Sequence, residues 1–102
     1  MPDPDRIEIE NVNHPGSTTR VDRRKYAAMR QALLAVLPDA APGLTVADAK
    51  TALLAGLDPA EFPGGDKAGW WLKAVQLDLE AKGIIARADK PPVRLYRTGK
   101  TG

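Results

Sequence analysis

His14, Ser17 and Asp22 stand close together in the chain and are the three residue types of a nucleophilic triad. In such a triad a hydroxyl attacks a carbonyl, an imidazole takes its proton and a carboxylate orients the imidazole. Ser17 is the single serine and His14 the single histidine. Triads are set by three-dimensional geometry rather than by closeness in sequence, and no nucleophile-elbow glycine pattern surrounds Ser17. His14 before Pro15 and Gly16 reads as a turn residue, and the expectation is a non-catalytic protein. A second stretch, "FPGGDK" (62–67), combines glycines with a coming helix N-terminus, the ingredients of an anion cradle. It lacks the P-loop spacing, so Gly64 and Gly65 are expected to turn the chain into a helix. With no cysteine and one histidine, neither a thiolate site nor a typical zinc site can be assembled; no metal and no cofactor are expected.

The remaining chemistry is charge. The net charge of +2 over 102 residues is too small to imply nucleic acid by itself, so its distribution matters more. The first ten residues are acidic, residues 11–30 basic, residues 31–66 acidic again, and the final third is the most basic part. There, Arg87, Lys90, Arg94 and Arg97 fall on or beside two strand-like runs, where cations can neutralise phosphates and fix orientation without reading sequence. The competing reading is a solvated hairpin whose basic side chains deter edge pairing. Arg20, Arg23, Arg24 and Lys25 make a second cluster of the kind that is usually a solvated face.

The elements that must position these groups follow from hydrophobic period and punctuation. "RIEIE" puts Ile7 and Ile9 on one side of a short strand and the charges on the other, as an edge strand does. "HPGSTTR" has the composition of a loop. Asp22 is placed to cap a first helix over about 22–37, in which Tyr26, Met29, Leu33, Val36 and Leu37 form an apolar stripe and Pro38 ends the run. Thr45 and Asp48 have capping-box spacing at the start of a second helix carrying Val46, Ala49, Leu53 and Leu57, with Leu44 as a minimal strand before it. Asp66 is placed to cap a third helix over about 66–82, closed by Lys82 and Gly83. Residues 84–89 and 93–97 are expected to pair as a hairpin. Length and pattern fit a single domain: strand and loop over 1–21, three helices over 22–82, hairpin over 84–97, and a flexible tail over 98–102.

"VQLDLEAKGIIAR" (75–87) is similar to the end of the third helix and first wing strand of bacterial winged-helix regulators, with Leu79 four residues before Gly83 and Val75 a turn earlier. With "ENVNHPGSTTRVD", "FPGG" and "GWW", the chain also resembles a small bacterial winged-helix family of unestablished function. The resemblance implies an α+β fold: a winged helix-turn-helix of three helices and a C-terminal β-hairpin wing, here with an extra N-terminal strand. It further implies a third helix whose outer face enters the major groove of double-stranded DNA, where Lys73 and Gln76 would approach base edges.

The third helix nonetheless carries two adjacent tryptophans. Ala68, Trp71, Leu72, Val75 and Leu79 share one arc, expected to meet Leu33 and Leu53 in a single core. Trp70, Ala74, Leu77 and Ala81 lie on roughly the opposite side. Either Ile7 and Ile9 cover Trp70 and Leu77 within the chain, or these two make a homodimer or protein contact, or Trp70 stacks on a base. The leading expectation is a DNA-binding or transcription-associated winged-helix protein, non-catalytic, with Lys73, Gln76, Arg87, Lys90, Arg94 and Arg97 as its DNA-binding residues. The alternative is an interaction or dimerisation module using the apolar outer face of helix 3. No run of apolar residues approaches membrane length, and no signal-peptide pattern is seen, so a cytoplasmic protein with no membrane partner is expected.

Overall fold

The computed structural model describes residues 5–88 and 91–100. The fold is α+β, with three helices and two small antiparallel sheets. In order these are β1 (Arg6–Glu10), β2 (Thr18–Asp22), α1 (Arg23–Val36), β3 (Leu44–Thr45), α2 (Val46–Leu54), α3 (Ala68–Ala81), β4 (Ile85–Arg87) and β5 (Arg94–Arg97). β1 pairs only with β2, while the second sheet has the order β3–β5–β4.

Local chemistry accounts for most boundaries. The Asp22 side chain accepts the Lys25 amide and starts α1, and the Thr45 hydroxyl accepts the Asp48 amide and starts α2, each satisfying one otherwise orphan donor. α3 ends at Gly83, whose φ of 74° suits glycine. There the Gly83 amide donates to Glu80 O and the Ile84 amide to Leu79 O, the paired bonds of a Schellman stop that turns the chain into β4. Leu44 does form a minimal strand: it pairs with Leu95. Gly43 precedes it at φ 84°, so close to β5 that a Cβ there would lie 1.9 Å from Leu95 O.

Two expectations are corrected. The "HPGSTTR" stretch is not loop throughout, because Thr18–Asp22 forms β2 and pairs with β1 from Glu10↔Thr18 to Arg6↔Asp22. β1 is therefore an edge strand as one arm of a two-stranded hairpin. The loop-like composition of β2 hid the period of two, in which Val21 is buried between exposed neighbours. The second correction is at α3, which is not capped by Asp66. A 3-10 turn at Pro63–Gly65 and Lys67 at φ 60° lead into it, with no side-chain cap. In the wing, paired residues are fewer than expected, and Asp89 and Lys90 lie outside the described residues.

Leu33, Leu53, Trp71, Leu72, Val75 and Leu79 do meet in one core, joined by Met29, Leu37, Ile85 and Leu95. Burial of a leucine-sized side chain is worth about 1.5–3 kcal/mol, so this convergence of α1, α2, α3 and the β3–β5–β4 sheet is the main source of stability. The β1–β2 hairpin packs as a separate flap on α1 and α3, contributing Ile9 and Val21.

Candidate functional site

One buried carboxylate fastens the flap. Asp78, on α3, is fully buried and accepts the Glu10 amide at 2.8 Å, the Tyr26 hydroxyl and the Lys82 ammonium at 2.7 Å. β1, α1 and α3 thus meet at one carboxylate, and these donors offset the cost of burying it. Burial, and next the bond to Asp78, raise the Tyr26 phenol above its ordinary value. Sequence reasoning passed over Asp78. Its one signal was Lys82 four residues on, a spacing equally common on solvated helix faces.

The flap reaches only part of α3. Its backbone bonds fall at Asp78 and at Leu77, whose carbonyl accepts the Val12 amide. Trp70 lies seven residues earlier, about 10 Å along the axis at 1.5 Å per residue. Leu77 is consequently buried, whereas Trp70 is 60% exposed. The expected cover of Trp70 by Ile7 and Ile9 does not occur, since Ile7 sits over α1 beside Tyr26, Ala27 and Arg30. Trp70 is held from behind instead. Its ring meets Trp71 edge to face at 5.1 Å between centroids, and Trp71 meets Phe62 in the same manner at 6.2 Å.

Between flap and helix a cleft of about 440 Å³ remains. Ile9, Val21, Ala74 and Leu77 line its apolar part, and exposed Trp70, Lys73, His14, Ser17 and Thr19 stand around its mouth. Its volume is in the range of binding pockets, and its mix of apolar walls with few polar groups is typical of them. The mouth brings His14 and Ser17 together but not Asp22, whose carboxylate is occupied at the start of α1. The hydrogen bond joining the first two is from the Ser17 amide to the His14 carbonyl, which is turn geometry and not a nucleophile and its base.

A profile for a family of unknown function, DUF6958, matches residues 6–95. The chain belongs to that family. The matched span takes in the flap, all of α3 and the cleft between them. No curated protein and no solved structure matched the chain.

Of the residues expected to meet DNA in this DUF6958 member, Lys73, Gln76 and Arg87 line one groove, and Arg94 and Arg97 lie on β5. Gln76 is 6% exposed and donates to Glu80 Oε2 at 3.3 Å, so it is withdrawn from the outer face where it was expected. Arg87 pairs with the same Glu80 through both Nε and a terminal nitrogen, and these bonds hold its guanidinium more firmly protonated than usual. Arg97 donates from Nε to Leu37 O at 2.9 Å, and its amide donates to Pro38 O, tying β5 to the end of α1. Lys73 is exposed between the cleft and a shallower groove that Gln76, Arg87 and Lys50 also line. Arg94 is half-buried on β5, and neither it nor Lys73 has an ion-pair partner among the described residues. Lys90 lies outside the described residues. Among those residues no helix is long and apolar enough to cross a membrane.

Proposed function

We propose that the chain is a non-catalytic winged-helix module that engages another protein through Trp70 and the cleft beside it. The winged-helix plan is supported by three helices followed by the β4–β5 hairpin, with β3 completing a three-stranded sheet. The observation that carries the function is the 60% exposure of Trp70 beside an apolar cleft, on a helix whose other large apolar residues are buried. Tryptophan presents much rigid contact area at little entropic cost, and it is over-represented among residues that dominate protein interfaces. The edge-to-face stack on Trp71 pre-orients the ring, which lowers the ordering cost of binding. The test is a photo-crosslinking amino acid at position 70 in the producing cells. Discrete protein adducts are expected, absent when the crosslinker replaces the exposed Ala52 of α2; adducts to nucleic acid alone, or none at all, would overturn the reading.

A second reading, duplex DNA binding, draws support from Lys73 and Arg94, two cations without an ion-pair partner among the described residues. It retains few of the groups expected of it, because Gln76, Arg87 and Arg97 are engaged within the fold. Anisotropy of a mixed-sequence duplex at low salt checks it. Non-specific affinities of about 10⁻⁴ to 10⁻⁶ M, falling steeply with salt, would support this reading over the first.

A further inference from the structure

We propose that the free edge of β2 takes an extended segment of a partner protein as an added strand, one in which apolar and acidic residues alternate. This rests on the protein-contact reading above and specifies the chemistry of the partner.

The direction of the β2 backbone groups follows from two hydrogen bonds. The Glu10 amide donates to Asp78, so it points away from β2, and the Arg23 amide donates to Asp5 O, so that pair bonds across the hairpin. Antiparallel pairs alternate between bonded and non-bonded. The pairs Ile7↔Val21 and Ile9↔Thr19 are therefore the bonded ones, and the amides and carbonyls of Thr18 and Arg20 point outward from the hairpin. α3 occupies the opposite edge, at β1. On the β2 edge no described residue bonds Thr18 or Arg20, and both are exposed.

This edge adjoins the cleft. Thr19 and Val21, which alternate with the outward-bonding residues, face into it. Val21, Ile9 and Leu77 are its buried end, while Thr19 and Trp70 are exposed at its mouth, so the opening lies between β2 and the indole. A strand laid along β2 continues the side-chain alternation: its inward residues project towards this opening and its outward residues lie beside Arg20. Strand addition of this kind takes affinity from main-chain bonds and specificity from pockets that receive alternate side chains. Both parts are present.

Charge selects the occupant. Arg20 sits at the centre of β2, opposite Glu8 of β1 but in no ion pair among the described residues, and Lys73 is the cation at the cleft mouth. An acidic residue beside Arg20 is favoured, since opposite charges on neighbouring strands attract. The buried end formed by Ile9, Val21 and Leu77 is apolar, which leaves the inward positions to apolar side chains. A second copy of the chain fits less well. Full antiparallel overlap of two β2 strands sets Arg20 against Arg20, and registers that separate the arginines pair only three of the strand's five residues.

The test is selection of binders to the full chain from a displayed library of random nine-residue peptides. Enriched peptides are expected to alternate apolar and acidic residues, and binding should protect the Thr18 and Arg20 amides from hydrogen exchange. Arg20→Pro, which removes an outward amide and no internal bond, should weaken binding about tenfold or more, as the loss of a main-chain hydrogen bond and a charge contact implies. Arg20→Glu, which keeps the amide, should turn the selected acids into lysine and arginine, and it serves if the proline variant melts early. Peptides with apolar residues at helical spacing that bind the wild type and both variants alike, with those amides unprotected, would overturn strand addition while leaving the Trp70 contact standing. Enrichment no better on the wild type than on Trp70→Ala would overturn it as well, and the crosslinking at position 70 judges the contact separately.

Discussion

Replacing Asp78 by alanine tests whether the flap is held by one buried charge. Three donors lose their acceptor. The Tyr26 hydroxyl is buried, and a hydrogen bond to a charged group is worth about 1.5–3 kcal/mol. The Glu10 amide is partly buried, and leaving such a group unpaired adds about 1 kcal/mol. Lys82 keeps 30% of its side chain exposed, so solvent screening limits the ion pair to at most about 1 kcal/mol. Together these give a loss of about 2.5–5 kcal/mol, overlapping the range for breaking a buried pair by removing one partner. A domain of this size has a total stability of about 5–15 kcal/mol, so the variant should remain folded but marginal. The assay is urea denaturation followed by circular dichroism, with Tyr26→Phe and the double variant completing a cycle that isolates the Tyr26–Asp78 coupling. Native-state hydrogen exchange should show the β1–β2 amides losing protection before those of Leu33 or Val75, because Asp78 is where β1 is bonded to α3 and, through Tyr26, to α1. A loss under about 1 kcal/mol with an unchanged denaturant slope, or flap and core amides opening together, would refute this account.

Three further perturbations are specified by the structure. Gly43→Ala places a Cβ against Leu95 O at a φ of 84°, so it should cost about 2 kcal/mol or more and, by nuclear magnetic resonance, shift the β3 and β5 amides most. Arg97→Ala, which frees the Leu37 carbonyl at the end of α1, should lower stability by about 1 kcal/mol, whereas Arg94→Ala should leave the thermal melt unchanged; equal effects would mean that Arg97 is not structural. The Tyr26 phenol is raised above its ordinary value of 10.0, so the folded state keeps its proton after the unfolded state has lost it. The stability this contributes is fully present below pH 10 and is lost as pH rises above it, by up to about 1.4 kcal/mol per unit; Tyr26→Phe should remove that component of the alkaline slope in paired denaturation curves.

Much of the fold was legible in the chain because it depends on local chemistry. The Asp22 and Thr45 caps, the Gly83 stop and the inward arc from Ala68 to Leu79 each depend on residues within a few positions of one another, where period and capping preference are direct physical constraints. The Asp66 cap failed within the same range, because Lys67 takes a left-handed conformation and the glycine-rich 3-10 turn carries the chain into α3 without a side-chain acceptor. β2 was hidden for a different reason. Threonines beside a proline-glycine turn read as loop until a partner strand supplies their hydrogen bonds.

The candidate site divides along the same line. The order of residues alone requires that α3 be apolar on two sides and that Trp70 and Trp71 part company, since 100° per residue permits nothing else. It also located the cations of the C-terminal third. Which of these are available to a partner follows from contacts between elements. Gln76 and Arg87 are drawn to Glu80, Arg97 to the carbonyl of Leu37, and Asp78 to donors on β1 and α1, while the flap covers Leu77 and stops two turns short of Trp70. Helical period specifies the direction in which a side chain leaves its own helix. Whether it meets solvent, a counter-ion or a neighbouring strand depends on contacts between residues tens of positions apart, and those exist only once the chain has folded.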